Sequence, residues 1–156
     1  MSICVDYFFN HPSELSSLAD RINGWIGCSL SPYEENSEDL FTRFLGMELT
    51  LSRHTLENDR ELNFEDFTYQ IGIRSPVPDG DLRSMQVPAM AFIAYALFRR
   101  MGIAGMLVYD GQSLLARYEV RVENGLDELF DAVSNTTVRF PDHLQSLIGS
   151  LPEYRG

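Results

Sequence analysis

Three histidines, two cysteines and a surplus of carboxylates are the side chains of this 156-residue chain able to do chemistry, and their spacing limits what that chemistry can be. His11, His54 and His143 lie far apart, with no HExxH or His-x-His pattern to present two imidazoles to one metal ion. His54, Glu57 and Asp59 are close enough in sequence to imagine as ligands. They share no regular element, so the expectation is a solvated loop and no metal. His11 beside Pro12 and His143 beside Asp142 stand where helices begin, which suits turn and capping duties. Cys4 and Cys28 lack a CxxC spacing, and Cys28 follows a helix C-terminus, the wrong end for lowering a thiol pKa. Both are expected to be buried and unpaired. No GxSxG elbow is present, and Gly102, Gly105 and Gly111 fit neither phosphate-binding pattern. Acid pairs such as Glu34-Glu35 and Glu65-Asp66 read as surface before they read as acid–base partners. No catalytic residue and no cofactor are expected.

Charge is the more informative signal. The net charge is -11, and all 12 basic residues are arginine, which removes Schiff-base and P-loop lysine chemistry. So acidic a chain repels phosphate backbones and anionic headgroups, which argues against nucleic-acid and membrane roles and for a basic protein partner. Residues 34–66 hold ten acids against Arg43, Arg53 and Arg60, a net of -7 (3 minus 10). That concentration can steer association with a basic surface.

The elements that must position these residues follow from periodicity. Ile3 to Phe9 reads as a strand stopped at Asn10-His11-Pro12. Ser13 is placed to cap a helix running from Leu15 through Leu18, Ile22 and Ile26 to Gly27. Ser37 to Leu45 reads as a short helix ended by Gly46, and Met47 to Ser52 as a half-buried strand. A polar loop, His54 to Asp66, leads to a second alternating strand at Phe67, Tyr69, Ile71 and Ile73. The segment from Ser75 to Gly80 breaks the chain, and Pro88 fits the first turn of a mostly apolar helix that ends at Gly102. Its apolar run, Val87 to Phe98, falls short of the ~20 residues of a membrane span. Gly105 to Tyr109 and Leu114 to Val122 form a hairpin through Asp110-Gly111, with Leu114, Ala116 and Tyr118 on one face and Leu115, Arg117 and Glu119 on the other. A short helix around Leu126 to Val133, a strand at Thr136 to Phe140 and a last helix from Pro141-Asp142 complete the chain. The expected fold is one α+β domain over residues 1–156, a two-layer arrangement of a mostly antiparallel sheet of about five strands with helices packed on one face. The N-terminal residues lack signal-peptide character, which points to the cytoplasm.

Three stretches carry a resemblance: Leu45-Gly46-Met47-Glu48-Leu49-Thr50-Leu51, the Phe64-x-x-Phe67-x-Tyr69-x-Ile71 strand, and the hairpin from Val108 to Glu119. Together, over roughly residues 40–120, they resemble small, uncharacterised bacterial proteins that are themselves similar to the immunity proteins of polymorphic toxin and contact-dependent inhibition systems. The resemblance implies a toxin-neutralising binding protein without enzymatic activity. On this reading the partner-binding residues are Glu34, Glu35, Glu38, Asp39, Glu57, Asp59, Glu61, Glu65 and Asp66, with Tyr33 and Phe64 as aromatic anchors in loop-like surroundings. The alternative is a ligand-binding or enzymatic domain in which Arg74, Arg117 and Arg121, beside Tyr118, clamp an anion on the sheet. A homodimer through the open sheet face or an edge strand is a third possibility.

Overall fold

A computed structural model describes residues 3–32, 34–35, 37–75, 80–119, 128–131 and 136–139. Seven strands form one antiparallel sheet: β1 (Cys4–Phe9), β2 (Ser31–Pro32), β3 (Leu40–Phe44), β4 (Met47–Arg53), β5 (Tyr69–Arg74), β6 (Gly105–Tyr109) and β7 (Ser113–Tyr118). Their spatial order is β2-β3-β4-β5-β1-β6-β7, so β1 is paired on both sides. Helix α1 (Leu15–Ile26) packs beside β3 and β4, and α2 (Gly80–Met101) beside β1, β5 and β6. A hairpin of β8 (Glu128–Asp131) and β9 (Thr136–Arg139) lies against β7. The fold is α+β, with both helices sharing the core on one sheet face.

Strand alternation builds that core. Val5, Tyr7 and Phe9 of β1, Leu49 and Leu51 of β4, and Ile71 and Ile73 of β5 point beneath the helices, where they meet Leu18, Ile22, Met90, Ile93, Leu97 and Phe98. Each large side chain removed from water contributes roughly 1.5–3 kcal/mol. The Tyr7 hydroxyl, deep in this layer, donates to the Ile103 carbonyl at 2.6 Å. Its ring lies where Gly105 of the neighbouring strand leaves room: a Cβ there would stand 2.6 Å from Tyr7 Cζ and 2.4 Å from the Phe8 carbonyl oxygen.

Several local expectations give way to the tertiary structure. Seven strands replace about five because Leu40–Phe44 is a strand, not a helix, and the short Ser31–Pro32 pairs with it. Leu40 and Phe44 are four apart, a spacing that fits a helix face and a strand face equally well, and pairing with β4 decides it. Leu45-Gly46 is therefore a hairpin turn with φ of 54° and 79°, not a helix end. Helix α1 has Glu14 at its N-cap with no side-chain cap, so Ser13 does not cap it; the Ser13 N–H instead donates to His11 Nδ1 at 3.1 Å. Gly27 and Gly102 close their helices in the left-handed region as expected. Pro88 lies inside α2, which starts at Gly80, and not in its first turn. An interior proline costs about 3 kcal/mol, and the burial of Val87, Met90, Ala91, Ile93, Ala94, Leu97 and Phe98 outweighs it. The Asp110-Gly111 hairpin is present, with φ of 52° and 66°. A bulge opposite Leu107/Val108 nevertheless shifts β7, so that Val108 pairs with Leu114 and Leu107 with Ala116. Leu115 joins Ala116 and Tyr118 in the helix-side core and Leu114 turns to the opposite face, reversing the expected sides of those two leucines. Residues 128–131 form β8 in place of the expected helix, and β9 matches the expected strand. The break after Ser75 and the helix from Pro141 fall on residues outside those described, as does His143.

Two variants should separate space from conformation. Gly105→Ala should lower stability by about 3 kcal/mol in urea denaturation, because backbone and the enclosed Tyr7 ring block the added carbon. Leu45→Asn should raise stability by about 1 kcal/mol, since a leucine at positive φ carries a strain that asparagine tolerates.

Candidate functional site

The second sheet face is divided in two. Over β1, β6 and β7, residues 54–68 fold back so that Leu62 and Phe64 cover Phe8, Met106 and Val108, with Phe67 and Leu114 at the margin. This flap is pinned by polar bonds. The Asn58 N–H donates to Glu65 Oε2 (3.1 Å) and the Glu65 N–H to Asn58 Oδ1 (2.9 Å). Asn63 Nδ2 donates to Asp66 Oδ2 (2.7 Å), and Asn10 bridges the Asp66 carbonyl and the Thr68 N–H. Arg117 Nη2 donates to the Glu61 carbonyl and to Asn63 Oδ1. His54 sits at the hinge: its Nδ1 accepts from the Leu56 N–H, so Nε2 carries the proton given to the Phe67 carbonyl at 2.6 Å. Both imidazole nitrogens are thereby engaged, and among the described residues no three His, Cys, Asp or Glu side chains are grouped to hold a metal.

Over β4, β5 and β1 the face stays open. Strand register sets a grid there: Glu48, Arg74 and Cys4 form one row, Thr50, Gly72 and Asp6 the next, and Ser52, Gln70 and Phe8 the third. Two adjoining depressions of about 250 and 390 Å³ occupy this surface and share Cys4, Asp6, Gln70 and Arg74. Asp39 borders one, while His54 and Asp110 border the other. Asp6 forms the floor, lying over Gly72 so closely that a Cβ there would fall 1.7 Å from its Oδ1. Burial pushes the Asp6 carboxyl up to about 7 against the opposing pull of Arg74, and Asp110 adds a smaller upward push. Arg74 is turned elsewhere: its Nε and Nη2 lie 3.1 and 3.0 Å from Cys4 Sγ. Among the described residues, no hydrogen-bond donor reaches the Asp6 carboxyl.

The Cys4 thiol beside Arg74 is not an activated nucleophile, because burial raises its pKa by more than the guanidinium lowers it. Cys28, whose Sγ donates to Asn23 Oδ1 at 3.2 Å, is likewise raised by burial; both thiols are free. The arrangement can therefore hold a proton on Asp6 near neutral pH and exchange it for a cation, while offering no thiolate.

The expected partner-binding residues scatter over this framework. Glu34, Glu35, Glu38 and Asp39 are exposed beside the β3 edge, and Glu57, Asp59 and Glu61 are exposed on the flap. Glu65 and Asp66 are exposed but committed to the bonds that hold the flap. Phe64 is 2% exposed, a core residue of the flap and not an anchor for a partner. Tyr33 lies outside the described residues. The arginine clamp is not assembled: Arg74 and Arg117 lie three strands and four residues apart, on the order of 20 Å. Tyr118 is buried on the helix side, and Arg121 is outside the described residues. Asp6 escaped the sequence reading. Its signals were an acid inside the apolar run Cys4 to Phe9 and an isolated glycine inside Ile71-Gly72-Ile73, which marks a close approach. Comparison of the chain with protein-family models, with curated proteins and with solved structures returns no match.

The raised Asp6 pKa fixes a sign for stability. The folded chain keeps a proton that the unfolded chain releases near 3.8, so between about 4 and 7 the fold binds more protons and its stability falls as pH rises. Asp6→Asn should remove this loss, up to about 4 kcal/mol, so the variant should exceed the parent in urea midpoint at pH 8 and approach it at pH 4.

Proposed function

We propose that this protein is a non-catalytic binding domain that captures a basic protein, in the manner of an immunity protein neutralising a toxin. The observation that carries this reading is the charge of the open sheet face. Asp6, Asp39, Glu48 and Asp110 line its two depressions, against Arg53 and Arg74. Glu34, Glu35, Glu38, Glu57, Asp59 and Glu61 extend the negative field on exposed segments either side. The field is little neutralised from within: among the described residues the one ion pair is Arg53 with Glu38, at 3.9 Å and largely exposed, worth under about 1 kcal/mol. Such a surface accelerates encounter with a basic protein, and on a nuclease its carboxylates would occupy the positions of substrate phosphates.

The test is capture from source-cell lysate at low and moderate salt, followed by association kinetics with the partner identified. Reversal of Glu34, Glu38, Asp39 and Glu57 to arginine should slow association at least tenfold and flatten its salt dependence. Equal association rates for the reversed and parent proteins would sink the charge-steering reading.

A further inference from the structure

Resting on the basic-partner reading, we infer that the depression over Gly72 is a receptor for one organic cation, the guanidinium or ammonium end of a partner side chain, with Asp6 as its counter-charge. Geometry makes this a built site. Asp6 leaves the pleat between Gly72 and Val108, its register partners on the two neighbouring strands. Only a glycine opposite allows the carboxyl to lie down over the sheet, since a Cβ at position 72 would meet Oδ1 at 1.7 Å. The flap covers the Val108 end of this row, together with Phe8, with Leu62 and Phe64, and leaves Asp6, Thr50 and Ser52 to line the opening.

The neighbouring cation does not occupy the place. Arg74 directs Nε and Nη2 to Cys4 Sγ, so the carboxyl in the groove has no donor among the described residues. A partly buried carboxylate left without a donor is costly, and supplying the donor from outside recovers part of that cost as binding energy. The charged and titratable groups that line the two depressions around Asp6 set the sign of the ligand. They are Cys4 on its own strand, Arg74 on β5, Glu48 on β4, Arg53 at the end of β4 with its guanidinium over the Tyr69 ring, Asp39 before β3, His54 after β4, and Asp110 in the β6–β7 turn. With Asp6, four carboxylates oppose two guanidiniums, which selects a cation over a carboxylate or phosphate. Gln70, Ser52 and Thr50 add neutral polar walls that can accept hydrogen bonds from the bound head group.

Because burial holds the Asp6 proton to about pH 7, the cation must displace a proton to bind. Apparent affinity should therefore rise about tenfold between pH 6 and pH 8, as the deprotonated fraction rises from about a tenth to nine tenths.

The experiment is an amide-resolved NMR titration of the full chain with methylguanidinium chloride and, separately, methylammonium chloride, at pH 6 and 8 and constant ionic strength. The expected result is saturable shifts at the amides of Asp6, Gly72 and Val108 with at least one probe, tenfold tighter at pH 8 and absent in Asp6→Asn. Gly72→Ala, which must move the carboxyl, is a second variant and should also lose the shifts. No saturable shift with either probe, or undiminished binding in Asp6→Asn, overturns the site. The probes carry no protein surface, so their failure leaves capture of a basic partner by the exposed acids standing. Probe binding without any basic partner would instead overturn the proposed function and leave the cation site.

Discussion

The structure depends on a central strand that must satisfy opposite chemistry on its two faces. In β1, Val5, Tyr7 and Phe9 are sealed beneath the helices while Cys4, Asp6 and Phe8 emerge on the other side. Neither Tyr7 nor Asp6 fits beside ordinary neighbours. Gly105 on one flank makes room for the tyrosine ring, and Gly72 on the other makes room for the carboxylate. A glycine in a strand interior, as at Gly72, weakens local pairing by roughly 0.5–1 kcal/mol relative to alanine. That loss is offset by the buried aromatic layer, where Tyr7 meets Tyr118 at 5.7 Å and Phe9 at 5.8 Å between ring centroids.

The division of the second face follows from the same strand. Phe8 needs a cover, and the flap supplies one through Phe64, whose ring stands edge-on to it at 4.8 Å. Asp6, two residues earlier, needs water or a ligand. A flap rich in acids is poorly suited to pass over another carboxyl, and it ends where the apolar patch ends. The open groove is thus the remainder left when a seven-stranded sheet has only enough apolar loop to cover one half of its outer face. Its electrostatics are those of a surface whose cations are committed elsewhere: Arg74 to Cys4, Arg117 to the flap, Arg53 to the Tyr69 ring and Glu38.

Much of the scaffold was legible locally. The alternation in Met47–Arg53 and Tyr69–Arg74, the Asp110-Gly111 turn and the glycine stops of both helices are short-range signals read without knowledge of neighbours. The errors share one cause. Leu40 and Phe44 satisfied two periodicities, Leu114 and Leu115 exchanged faces through a bulge, and Phe64 looked like loop because the apolar patch it covers is brought together from β1, β6 and β7. In each case the deciding partner is distant in sequence.

The amino-acid sequence by itself determined the α+β class, the burial of α2 and the strongly negative charge, because periodicity, apolar content and ionisable residues are properties of the chain read in order. Only the tertiary structure decided which acid stands in a groove and which ties down a loop. Asp6 and Asp66 are the same residue type, yet one lies over Gly72 with its proton held to about pH 7 and the other accepts from Asn63 at the surface. Desolvation and hydrogen bonding belong to the space around a side chain, and that space is assembled by pairing strands that lie up to a hundred residues apart.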